Sequence, residues 1–254
     1  MLEQLIPQNL FAFFLVFARI GAVLMLMPGF GESFVPARLR LIIALAVSLV
    51  VLPIVASVIP AMPATPIDLL ITLGKEIIAG LFIGAAARTL MTALQAAGMV
   101  AAYQSSLANA LVTDPASQQQ GALAGSFLSI TATLLIFVTD LHHVMLGAIV
   151  DSYGLFVPGQ PLPVGDLSAA TARVVGQSFV LAVQVAAPFI VVGLLFSVGV
   201  GLLNRLMPQV QMFFIIMPLQ VFLGVLLLMV TASSILLWFM NAFGEGLRTL
   251  FTGG

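Results

Sequence analysis

The run from Leu69 to Tyr103 spans 35 residues without a proline. As one helix rising 1.5 Å per residue it would stand about 50 Å tall. The hydrocarbon core of a bilayer is only about 30 Å thick. Tilt does not readily absorb such a difference, so the helix must protrude, break, or stand in something taller than lipid. The run also carries Lys75, Glu76 and Arg88. Glu76, Gly80, Gly84 and Arg88 follow one another at every fourth position, and Ala93, Ala97, Ala101 and Ser105 repeat that spacing further on. Rows of small residues allow helix backbones to approach closely within a membrane.

The rest of the chain agrees with a membrane setting. Of its 254 residues, 61% are hydrophobic and 7% charged, against about 25% charged in soluble domains. The mean hydropathy is +1.22. We therefore expect a single all-α integral membrane protein with no soluble domain. A net charge of -1 argues against nucleic acid as a partner. With no cysteine, disulfides, thiolate catalysis and cysteine-ligated zinc are excluded. Met1-Leu-Glu-Gln4 lacks the basic start of a cleavable signal, so the first apolar run reads as a retained anchor.

About six apolar segments are expected, four of them longer than a bilayer requires. The first, Leu10–Met27, holds Arg19 near its middle and ends at Pro28, Gly29 and Gly31. An arginine at that depth costs about 2.5–3.5 kcal/mol on insertion scales, so it should face protein or water. Arg38 and Arg40 open the second, Leu39–Ile59, in which Pro53 is a candidate kink; Pro60, Pro63 and Pro66 stiffen the link to Leu69. The fourth, Ala122–Val157, contains a row of Gly125, Ser129 and Thr133 following Gly121, and is interrupted at Asp140-Leu-His-His143. It reads as one tall helix or two short ones, with Asp151 beyond the interruption. A turn-rich loop, Gly154–Ser168, leads to Ala172–Leu203, which contains Pro188 and the row Gly193, Ser197, Gly201. Arg205, Pro208 and Gln209 make a hairpin break before Val210–Phe243, which contains Pro218 and Gln220. Basic residues are divided too evenly between alternate loops to give an orientation.

Between the third and fourth segments lies the longest polar interval, Gln104–Gly121. Connections longer than about 12–15 residues are usually functional or disordered. Ser105 or Ser106 can cap a short helical turn. Leu107 and Leu111 would share one face of that turn, and Asp114-Pro115 would end it. The interval reads either as a re-entrant plug between tall helices, supported by protein or a wet cavity, or as an ordinary surface loop. On this division the chain has a first helical part (10–103), the interval (104–121) and a second helical part (122–254).

Several chemistries compete for these residues. A metal site at Asp140, His142 and His143 is disfavoured, because adjacent helical positions point about 100° apart and zinc wants three or four ligands. No Gly-x-Ser-x-Gly elbow and no glycine-rich phosphate loop occurs, so no catalysis and no cofactor are expected. An ion-coupled transporter of small solutes is the rival from another class. Arg19, Lys75, Glu76, Arg88 and Asp140 are intramembrane charges, and transporters use broken helices. The preferred reading is that these charges pair internally or with partner subunits. The several small-residue rows suit a subunit packed against neighbours on more than one side.

Arg19, Pro28, Pro36-Ala-Arg-Leu-Arg40, Pro53, Gly74-Lys-Glu76, Gly80, Gly84, Gly98, Gln104, Asp114-Pro115, His142, Val150-Asp151, Pro188, Gly201-Leu-Leu-Asn-Arg-Leu-Met-Pro-Gln209, Phe213 and Pro218 follow in order. This ordered set resembles the FliR family, the R component of the flagellar type III export gate; SctT is its injectisome counterpart. Ser106 and Ile216 stand where members commonly carry glycine. The resemblance implies a multi-pass protein of the bacterial inner membrane, at the flagellar basal body. It implies assembly with FliP-like, FliQ-like and FlhB-like subunits into a pore for unfolded export substrates. It further implies a plug in the pore at the position of Gln104, Ser105, Ser106, Leu107, Asn109, Leu111, Asp114, Pro115 and Gln118. Neutral polar side chains there can close a pore without selecting charge.

Overall fold

A computed structural model describes residues 2–107, 122–206 and 213–251. Seven α-helices and one short 3-10 turn make up the described chain, with no strand among these residues. They are α1 (Leu2–Leu26), α2 (Ala37–Val55, followed by the turn Ala56–Val58), α3 (Pro66–Gln104), α4 (Ala122–Val138), α5 (Leu141–Leu155), α6 (Val164–Leu206) and α7 (Phe213–Phe251). Five are long and apolar enough to span a membrane, and α4 with α5 makes up to six if the bent pair is one span.

Local chemistry sets the ends. Gly29 takes a φ of 85° just after α1, a left-handed geometry that glycine adopts without a Cβ clash. Arg40 donates from Nε and Nη2 to the Val35 carbonyl at 3.2 and 3.1 Å, tying the start of α2 to its own loop. Thr65-Pro-Ile-Asp68 starts α3: the Asp68 amide donates to Thr65 Oγ1 at 3.2 Å, and Thr65 Oγ1 donates to Asp68 Oδ2 at 2.6 Å. Thr65 thus caps the helix, with proline at the first helical position. The helix then continues unbroken for 39 residues, about 58 Å.

The interrupted fourth segment resolves as two helices bent by 77°. The corner is Asp140, whose φ of 57° and ψ of 15° are left-handed. The following helix differs from expectation at its start. It begins at Val164 rather than Ala172, because Gly165, Asp166 and Ser168 form a first turn instead of a loop, with Ser168 Oγ donating to the Gly165 carbonyl at 2.8 Å. At 43 residues α6 is about 64 Å long. Pro7, Pro53, Pro188 and Pro218 all lie inside helices.

The chain divides into two compact units, and the divisions fall within α3, α4, α6 and α7. One comprises Met1–Leu90, Ile136–Val175 and Phe243–Gly254; Leu15, Ile20, Val23, Ile83, Ile149 and Phe243 are buried in it. The other comprises Met91–Leu135 and Gly176–Ala242; Leu94, Leu128, Ala132, Val185, Phe189 and Phe239 are buried there.

In the first unit α1 and α3 run in the same direction. Gln8 binds the loop before α3, donating from Nε2 to the Pro60 carbonyl at 3.1 Å and accepting from the Met62 amide at 2.8 Å. Further along, Gly80 lies against the Arg19 carbonyl and Ala22, and Gly84 against the Val23 carbonyl and Leu26. A methyl group at either glycine would run into the α1 backbone, so this row of the sequence is a helix-helix seam. In the second unit Ala93, Ala97, Ala101 and Ser105 are all buried, and Gly98 touches the backbone of Gly125.

Candidate functional site

Arg19 is only 1% exposed despite its size. α1 supplies it, α3 supplies Glu76, and the end of α5 supplies the rest. Nε donates to Glu76 Oε2 at 2.6 Å, Nη1 to Ser152 Oγ at 3.2 Å, and Nη2 to the Phe156 carbonyl at 2.6 Å. The guanidinium carbon sits 3.8 Å from the centroid of the Tyr153 ring, within cation–π range. A planar fork that bonds on three edges and stacks on one face is a task for arginine rather than lysine. The Gly80–Arg19 approach brings α3 near enough for Glu76 to reach. Arg19, Lys75, Glu76, Phe156, Gln160 and Asp166 border a cavity of about 250 Å³.

Arg19 and Glu76 thus form an ion pair within the chain. Arg88 lies one turn beyond Gly84 and meets Glu32 at 3.4 Å, partly exposed. Among the described residues Lys75 has no ion pair; it faces the cavity instead. Asp140 is exposed at the α4–α5 corner, with Oδ1 3.7 Å from His143 Nδ1. Arg205 is exposed in the last turn of α6, while Pro208 and Gln209 lie outside the described residues.

A second cluster occupies the start of the polar interval. Ser105 directly follows α3, its hydroxyl donating to the Ala101 carbonyl at 2.6 Å, and its Cβ lies against Gly224 of α7. Ser106 is left-handed, with a φ of 54°. The resemblance leads to an expectation of glycine here, a residue that takes left-handed backbone without a Cβ clash. Gln220 of α7 joins the two ends of this turn: its Nε2 donates to the Gln104 carbonyl at 2.7 Å, and its Oε1 accepts from Ser106 Oγ at 2.8 Å. The Gln104 side chain lies against Gly193 of α6. Leu107 is half-buried. Asn109, Leu111, Asp114, Pro115 and Gln118 lie outside the described residues.

Glu32, Ser152, Tyr153 and Gln220 were not singled out from the sequence. Gln220 had a visible signal, an amide within an apolar run, but no spacing rule links it to Gln104, 116 positions away.

The fold and these clusters define a multi-pass helical membrane protein organised around one buried charge pair and a neutral polar clasp. The family model for bacterial export proteins, family 1, matches residues 10–246. The chain is 40% identical over 238 residues to the flagellar biosynthetic protein FliR of Caulobacter vibrioides, with 94% of each chain covered. It is 30% identical over 244 residues to FliR of Bacillus subtilis, covering 94% of this chain and 93% of that one. It is 27% identical over 239 residues to the Yop proteins translocation protein T of Yersinia pestis, covering 91% and 89%. The chain belongs to family 1 of the bacterial export proteins, and is a FliR-type component of type III secretion.

Proposed function

We propose that the chain is a structural, non-enzymatic subunit of the flagellar export gate in the bacterial inner membrane. It assembles with FliP-like and FliQ-like subunits and contacts a FlhB-like one, and the assembly forms a pore for unfolded flagellar proteins. One observation carries this reading. α7 is 39 residues long, yet only 6% of its most apolar window is buried within the chain's own fold. At 1.5 Å per residue α7 is about 58 Å long, while a bilayer covers about 30 Å of a helix; that excess of length, in a helix so little covered by its own chain, supports partner helices around it. The Yersinia relative keeps the injectisome counterpart as a second reading, while the higher identity to FliR of Caulobacter favours the flagellar one.

In this reading the interval Gln104–Gly121 plugs the pore, anchored at its start by Gln220. Deleting Leu107–Gln118 leaves assembly intact and raises leakage of ions and small molecules through membranes carrying the complex. Unchanged permeability with the complex assembled would overturn the plug. The isolated chain is expected to be poorly stable in detergent and to purify with partners. A solute transporter would instead lose uptake on replacing Glu76 or Asp140 when the chain is reconstituted alone.

A further inference from the structure

We propose that Asp140, His142 and His143 form a binding site for a divalent transition metal of the zinc class. The spacing of adjacent histidines on an ideal helix argued against this, and the structure removes that objection. One ligand atom from each of the three side chains lies within 4.8 Å of the others, and the two imidazole centroids are 4.1 Å apart. The cause is local. Asp140 is not a helical residue; its left-handed backbone forms the corner between α4 and α5. Its carboxylate therefore turns back over the first turn of α5, where the two imidazoles lie side by side.

The surroundings are those a metal ligand needs. His142 Nδ1 faces the Ile136 carbonyl of α4 at 3.4 Å. Such an outer partner fixes the tautomer and leaves Nε2 with its lone pair free. Asp140 and His143 are open to solvent, with side chains 77% and 70% exposed, so an ion reaches the site without crossing apolar surface. Two imidazoles and one carboxylate suit zinc, copper, nickel or cobalt rather than magnesium or calcium, which prefer all-oxygen sets. Three protein ligands leave one tetrahedral position for water or a partner's side chain. Because His142 also leans on α4, a bound ion would brace the bend from both arms.

The test uses the detergent-solubilised gate complex, purified on a tag without histidine and stripped with chelator. Zinc is titrated by calorimetry, and cobalt by its visible d–d absorption, which reports tetrahedral geometry. The variants are D140N, H143Q and the double H142Q/H143Q. Asparagine tolerates left-handed backbone, so D140N removes a ligand while keeping the corner. The expected result is one ion per copy of this chain with tetrahedral cobalt absorption. Affinity falls at least tenfold in D140N and H143Q and is lost in the double variant. Zinc raises the melting temperature of the wild-type complex and not that of the double variant. Absence of stoichiometric binding, or equal binding by wild type and the double variant, overturns the proposal.

Discussion

Arg19 and Glu76 meet at 2.6 Å although 57 positions separate them, and neither side chain is more than 3% exposed. Removing one partner of a buried pair leaves an uncompensated charge, at a cost of about 3–5 kcal/mol. Arg19→Ala is therefore expected to reduce accumulation of the chain and its assembly strongly. The double variant Arg19→Met with Glu76→Leu recovers much of that loss, since an apolar pair of similar volume is often tolerated. Arg19→Lys falls between them, keeping the charge but not the bonds to Ser152 and Phe156 together with the Tyr153 stack. Melting temperatures of the purified complexes, combined as a double-mutant cycle, check the ordering.

The α1–α3 seam predicts a sharp steric response. Gly80→Ala places a methyl group against the Arg19 carbonyl and the Ala22 side chain, and forced overpacking costs about 1–3 kcal/mol. At Gly74 of the same helix no atom beyond the adjoining backbone lies within 4 Å. Gly74→Ala should thus be neutral or gain up to about 1 kcal/mol from helix propensity. Comparing the two by thermal unfolding separates packing from propensity.

Ser106 sets two local effects against each other. Its left-handed backbone costs about 1–2 kcal/mol relative to a relaxed residue, and its bond to Gln220 returns about 1 kcal/mol. Ser106→Gly loses both together and is expected to leave stability close to wild type. Ser106→Ala keeps the strain and loses the bond, so it should be less stable by about 1 kcal/mol. If the two variants melt together, the left-handed geometry at Ser106 carries no measurable strain.

Gln220→Leu removes a donor and an acceptor in one step. The Gln104 carbonyl and the Ser106 hydroxyl lose their cross-helix partner, at about 1–3 kcal/mol for each group left unsatisfied. The effect is confined to the turn at the head of the polar interval. The expected outcome is a complex that assembles normally but leaks more than wild type, though less than one lacking Leu107–Gln118. Conductance of planar bilayers containing each complex measures it.

The helices and the charges were legible in the sequence for a simple reason: long apolar runs with rare ionisable residues leave few alternatives. Gly80 and Gly84 were recognisable as a seam because their spacing keeps them on one face. What the seam touches was not, since no periodicity tells α3 that Arg19 lies opposite. The start of α6 was misplaced because Gly165, Asp166 and Ser168 favour turns and helix starts alike. The corner at Asp140 was visible only as an interruption. Its left-handed backbone, on which the placing of the Asp140 carboxylate depends, has no signature in residue spacing. At Ser106 the sequence offered a candidate cap and a departure from the expected glycine, but not the left-handed turn that the structure shows there.

Where Gly80 and Gly84 face Arg19 and Val23, the two rods touch main chain to main chain. Glycine brings no rotamers to such a junction, so close contact with the α1 carbonyls opposes sliding of α1 along this half of α3. Under load the couple should bend as a single spar, and on the pore reading proposed above the part that yields to cargo would lie elsewhere in the molecule.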